Sequence, residues 1–198
     1  MLILWLGYNA YRQEWKDDTN YFILSIPRRG WEISLAKLAS SMTFYIVVTL
    51  INSLLIYFFH QEFIYQIVIG QAPEGLFVGN FIINTLVKIT LVYWLIALMI
   101  YIITQFSQLI SLYFDRFRGL VTVVVFIIIN YIIFRSATLL SPLFSWLPDF
   151  PVKSFSKTEG IVREFTFYIG SGPIIALIIL VCGLFLLGSW LLENQLEV

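Results

Sequence analysis

Asn80, Asn84 and Lys88 recur at i, i+4 and i+8, a spacing that sets two carboxamides and one ammonium along a single helical face. Such a face can hydrogen-bond and carry charge, which suits a translocation path through a bundle or a subunit interface, and not lipid. Equally, the Lys88 ammonium can snorkel toward headgroups on its flexible stem. Bond-making chemistry is poorly served by the rest of the chain. His60 is the only histidine and sits beside Gln61 and Glu62, with no second His or Cys to complete a zinc site. Cys182 is the only cysteine and lies in an apolar run, where it reads as a small packing residue. There is no Gly-x-Ser-x-Gly elbow and no Gly-rich loop ending in Gly-Lys-Ser/Thr. The chain therefore reads as non-catalytic, with no catalytic residue, metal or cofactor of its own, and an intramembrane enzyme is the least favoured reading.

The elements that must position these residues are set by composition. Of 198 residues, 60% are hydrophobic and 12% charged, against about 25% charged in soluble domains. The mean hydropathy is +0.88. The apolar residues fall in long runs, so lipid must act as solvent for most of the chain. Residues 35–59, 81–104, 120–140 and 173–192 each reach the roughly 17–25 residues that a helix needs to cross a bilayer. Isolated strands would leave backbone groups unpaired in hydrocarbon. The expected fold is thus all-α: a polytopic membrane protein, one domain over residues 1–198, with four full transmembrane helices. Residues 1–10 add an apolar run of about 15 Å as a helix, half a crossing.

Net charge is zero, so nothing marks the chain as a nucleic-acid binder. The distribution of Lys and Arg is more telling, because these residues collect on the cytoplasmic side. Arg12, Lys16, Arg28 and Arg29 precede the first full span, with Lys37 just inside it, and Arg116 and Arg118 separate the second and third. The intervening residues 60–78 contain Glu62 and Glu74 but no Lys or Arg. This alternation puts residues 141–172 outside and the C-terminal tail in the cytoplasm of a cell-membrane, multi-pass protein. Lys153, Lys157 and Arg163 in the outer loop are balanced by Asp149, Glu159 and Glu164. Pro142, Pro148 and Pro151 break helices there, while Phe144, Trp146, Phe150 and Phe155 suit the membrane interface. Residues 158–169 are expected to form a short interfacial helix or an irregular aromatic loop. Asn52 with Ser53, and Asn130 with Arg135, are candidates for polar contacts across helices.

The stretch 11–37, YRQEWKDDTNYFILSIPRRGWEISLAK, carries the most information. Asp17, Asp18 and Thr19 can start a helix whose apolar residues include Phe22 and Leu24, and Pro27 ends it. Arg28 and Arg29 then meet the headgroups and Trp31 anchors the next span. Acidic residues, a short apolar run, Ser-Ile-Pro, a basic pair, Trp-Glu-Ile and Lys in this order resemble the first cytoplasmic loop of the type-2 family of ABC exporter permeases. GSWLLENQLEV at 188–198 and, weakly, FDRFRGL at 114–120 resemble the last helix with its tail and the second cytoplasmic loop of that family.

The resemblance implies a membrane permease subunit that pairs with a second copy or a related permease and docks an ABC ATPase subunit, which would hold the ATP and Mg. The docking helix would lie in the coupling segment 11–34, with Asp17, Asp18, Phe22, Leu24, Pro27, Arg28 and Arg29 as its coupling residues. Family members have six spans with this loop between the second and third, so residues 1–10 would be the inner end of the second and the first would be absent from this chain. A rival reading is a non-transporting membrane assembly or regulatory protein whose short loop recruits a cytoplasmic partner. The topology itself is directly testable. In a Cys182→Ser background, single cysteines placed in 11–34 and 193–198 are expected to react with impermeant thiol reagents only in inside-out vesicles, and cysteines in 60–78 only in intact cells.

Overall fold

The computed structural model describes residues 2–16, 29–70, 78–114, 116–158 and 161–195. They form helices α1 (Leu2–Lys16), α2 (Gly30–Gly70), α3 (Val78–Ser111) and α4 (Arg118–Leu140), a single 3-10 turn (Ser141–Phe144), strands β1 (Phe150–Thr158) and β2 (Ile161–Ile169), and helix α5 (Ser171–Gln195). The segments Gly30–Ile56, Thr90–Ser111, Arg118–Phe144 and Ser171–Glu193 are each long and apolar enough to cross a membrane. The chain is a polytopic α-helical membrane protein.

Large apolar side chains confirm what surrounds these helices. Phe58 and Phe59 on α2 are 74% and 81% exposed, and Leu139 on α4 is 70% exposed. Water would not tolerate a continuous coat of this kind, whereas lipid is as apolar as the coat itself. Burial is concentrated instead on α3. Over the apolar 18-residue stretch of Thr90–Ser111, 44% of residues are buried, against 11%, 17% and 22% over the matching stretches of the other three spans. Each of the other four helices packs on α3. Its Ala97, Met99, Tyr101, Ile102 and Ile103 form the centre of the core, joined by Ile3 from α1, Tyr45 from α2, Ile129 and Ile133 from α4, and Val181 from α5.

Consecutive elements run in opposite directions, so the finish of α1, α3 and α5 and the start of α2 and α4 share one end of the bundle. That end holds Arg12, Arg29, Arg116 and Arg118, and is called the basic end below. The strands lie at the other, the hairpin end. The α3 to α4 connection at the basic end is tight: Phe117 adopts a left-handed conformation with φ of 64° and its carbonyl accepts from Val121 N at 3.0 Å, opening α4.

Two differences from the sequence-based expectation have physical causes. First, the helices overrun the spans. α2 covers 41 residues, about 60 Å at 1.5 Å per residue, because a helix bonded within itself need not stop where hydrocarbon does. The segment 11–34 accordingly gives its first six residues to α1 and its last five to α2, and α3 gains residues 105–111 beyond the expected span. Second, residues 158–169 are neither an interfacial helix nor an irregular loop. β1 and β2 pair antiparallel from Phe150↔Ile169 to Thr158↔Ile161. The run IVREFTFYI is rich in β-branched and aromatic residues, which favour a strand.

Helices approach most closely where glycine leaves room. A Cβ on Gly7 of α1 would lie 2.9 Å from Thr104 Cβ of α3, and one on Gly30 of α2 would lie 2.5 Å from the Ser189 carbonyl of α5. Small residues at helix crossings let backbones meet in lipid, where packing rather than water expulsion drives association. Gly183 of α5 has nothing within 4 Å of its built Cβ. Gly30→Val is therefore expected to destabilise by roughly 1–3 kcal/mol through overpacking, while Gly183→Ala should be neutral or stabilising. Thermal unfolding of the detergent-solubilised protein distinguishes the two, with a lowered Tm for the first variant only.

Candidate functional site

The last turns of α3 carry Thr104, Gln105, Ser107, Gln108 and Ser111, all of them buried. A polar side chain in hydrocarbon is costly until hydrogen-bonded, so each must find a partner within the bundle. Thr104, Ser107 and Ser111 bond back to their own helix, on the carbonyls of Ile100 (2.7 Å), Ile103 (2.7 Å) and Gln108 (2.7 Å). The two glutamines are too long for that and reach neighbouring helices instead. Gln108 Oε1 lies 3.1 Å from the Thr122 hydroxyl of α4, which is also 2.9 Å from the Arg118 carbonyl. Gln105 Nε2 donates to the Tyr11 hydroxyl of α1 at 2.9 Å.

Tyr11 is the meeting point of three helices. It is 1% exposed and seated against Leu109 of α3 and Leu192 of α5. Its hydroxyl also lies 3.1 Å from Ser34 Oγ of α2, a bond in which either oxygen can donate. The Lys37 ammonium of α2 stands 4.1 Å from the centre of the Tyr11 ring and donates to the Ala10 carbonyl at 2.5 Å. The ring face is negative and attracts the cation, and the free lone pair of a helix carbonyl completes the seat. One turn further into the bundle, Ser41 Oγ donates to the Tyr101 hydroxyl at 3.1 Å. No buried side-chain nitrogen or oxygen among the described residues lacks a partner.

Beside this polar cluster lies an apolar crevice of about 620 Å³ between α2, α3 and α5, walled by Leu38 and Met42, Trp94 and Leu98, and Val181 and Phe185 among others. Cys182 is one of its lining residues. Its lining residues all fall within the spanning segments.

The residues singled out in the sequence are distributed as follows. Asp17, Asp18, Phe22, Leu24, Pro27 and Arg28 lie outside the described residues. Arg29 is exposed, and its carbonyl accepts from Glu32 N at 3.0 Å and Ile33 N at 3.4 Å, which opens the first turn of α2. Asn80, Asn84 and Lys88 all fall within α3. Lys88 is exposed and precedes the apolar window that begins at Thr90. The expected cross-helix contacts of the asparagines are corrected by the structure. Asn52 Nδ2 donates to Val48 O (2.9 Å), Ser53 Oγ to Thr49 O (2.8 Å) and Asn130 Nδ2 to Phe126 O (2.9 Å). Each satisfies itself one turn back on its own helix, which a short polar side chain does without needing a neighbour.

Sequence reasoning missed Tyr11, Ser34 and Gln105 as a unit. A signal was present: Thr104, Gln105, Gln108 and Ser111 recur at i, i+1, i+4 and i+7, a helical face, but the expected span ended at its first member. The arrangement holds no nucleophile with a base beside it, and no group of three or more His, Cys, Asp or Glu among the described residues is placed to hold a metal ion. Its bonds fasten helices to one another. No known family model, curated protein or solved structure matches the chain.

The Gln108–Thr122 bond gives a direct measure of this fastening. Thr122→Val leaves the Gln108 carbonyl oxygen without that donor and is expected to cost about 1–3 kcal/mol. Thr138→Val, which removes a hydroxyl bonded to Phe134 O on the exposed face, is expected to change little. Denaturant unfolding in mixed micelles reads both.

Proposed function

We propose that this chain is the membrane-spanning permease subunit of an ATP-driven exporter of the type-2 ABC class. It works in the cell membrane with a second permease subunit and a separate ATPase subunit, and the basic end faces the cytoplasm. The observation that carries the reading is the disposition of the stretch 11–37. Its first and last residues, Tyr11 of α1 and Lys37 of α2, meet in space at 4.1 Å, so the two helices that it joins in sequence are fastened to each other. A push from a docked partner on the residues that join two fastened membrane helices reaches both at once. The residue order of that loop, with its acidic start, Ser-Ile-Pro and basic pair, supplies the resemblance to a coupling loop.

Three further features support the same assignment. The sequence contains no phosphate-binding loop, so an ATP-driven process requires a partner chain to hold the nucleotide and Mg. Arg12, Arg29, Arg116 and Arg118 gather at the basic end, in keeping with a cytoplasmic orientation that also puts the C-terminal tail there. Lys88, exposed near the start of α3, is suited to an interface with the second permease subunit, where a charge finds a partner that lipid does not offer.

In this mechanism the chain performs no chemistry. Nucleotide-driven closure of the ATPase pair displaces the coupling segment, and the membrane helices shift between arrangements of different affinity for cargo. Purification of the intact complex tests the proposal. A co-purifying ATPase is expected, and Asp17→Ala with Asp18→Ala, or Phe22→Pro, should return cargo-stimulated ATP hydrolysis to its basal rate while membrane insertion persists. A complex that contains a cytoplasmic partner without nucleotide-binding capacity would instead establish a regulatory or assembly protein.

A further inference from the structure

The polar cluster at the basic end has a role beyond satisfying its own hydrogen bonds. Tyr11 belongs to α1, Ser34 and Lys37 to α2, and Gln105 to α3, and the four meet although Tyr11 and Gln105 are 94 residues apart in sequence. Around a single ring, the hydroxyl joins Gln105 at 2.9 Å and Ser34 at 3.1 Å while the face receives the Lys37 ammonium at 4.1 Å. Close helix contacts brace the same end of the bundle. Gly30 of α2 lies against Ser189 and Glu193 of α5, and Gly7 of α1 against Thr104 of α3.

We propose that Tyr11 is a positioning residue: it locks α1, α2 and α3 into one rigid body, so that a displacement passed to α1 or α2 through the residues that join them in sequence moves the three helices together and not one by one. The lock is a property of the bundle itself; its use in coupling rests on the exporter reading above. Interactions of two kinds, hydrogen bonds at the hydroxyl and a cation over the ring, converge on one side chain, and this makes the lock separable. Tyr11→Phe removes both hydroxyl bonds and keeps the ring, Lys37→Met removes the cation and keeps an apolar stem, and Lys37→Arg restores a cation over the ring. In the absence of water a lost buried bond has no substitute, so each of the first two variants should release α1 from α2.

The experiment places spin labels at Trp5 of α1 and Ala39 of α2, both exposed, in a Cys182→Ser background, and reads the distance distribution in lipid nanodiscs by pulsed electron resonance. A single narrow population is expected for the otherwise unchanged chain. Tyr11→Phe and Lys37→Met are expected to raise the fraction at longer distance by about tenfold, the change set by one hydrogen bond, and Lys37→Arg to return it. Should Tyr11→Phe fail to insert, Ser34→Ala, which leaves the ring seat intact, carries the same readout. Distributions unchanged in both Tyr11→Phe and Lys37→Met, or broadened equally by Lys37→Arg and Lys37→Met, overturn the lock. In the complex with its ATPase, the ratio of cargo-stimulated to basal hydrolysis should fall toward one in Tyr11→Phe. A broadened distribution with an unchanged ratio keeps the lock and overturns its part in coupling.

Discussion

Hydrocarbon offers a polar atom no water to fall back on, and this constraint decides how the five described helices are joined. Apolar faces can slide past one another in lipid at small cost, since the tails that replace a neighbouring Leu are equally apolar. Polar side chains cannot. The two glutamines of α3, each buried, reach Tyr11 of α1 on one side and Thr122 of α4 on the other. The apolar core around Tyr101 and Ile103 then fills the space that these bonds define. Specificity sits at the basic end, and bulk packing follows it inward.

The division of labour among residue types is consistent with this. Serines, threonines and asparagines on the outer faces, such as Thr43, Ser53, Asn130 and Thr138, turn onto carbonyls of their own helices. They make no demand on a neighbour and leave the face free for lipid. Longer polar chains cannot fold back so easily, and they are found where helices cross. Glycine plays the complementary part. Gly7 and Gly30 bring α1 and α2 to within touching distance of α3 and α5 at the same end, which shortens the reach that the polar bonds must span.

Much of this architecture was legible in the residue order, and the remainder was hidden for definable reasons. Four apolar runs announced four spanning helices, because length and hydropathy alone decide that question in lipid. Helix ends were less legible: the run closing α3, TQFSQLIS, looks like an exit into water, yet its polar residues are buried. The hairpin was obscured by three prolines, which drew attention from the strand-favouring residues of IVREFTFYI. The stretch 11–37 stood out by composition, but that Tyr11 and Lys37 meet is a tertiary fact. No local pattern states that Tyr11 and Lys37 are partners, since the pairing depends on how α1 and α2 cross.

The length of α2 gives the arrangement at its foot an unexpected reach. From the bonded Ser34 to Gly70 the helix runs 70 − 34 = 36 residues, about 54 Å at 1.5 Å per residue. A rod of that length held at one end behaves as a pointer. A tilt of about 5° at the foot sweeps the far end through roughly 5 Å, more than the width of a methyl group and comparable to one helical turn. Adjustments too small to break a hydrogen bond at the basic end are thereby written large at the opposite surface. The gain of the device is fixed simply by how many residues stand above the pivot.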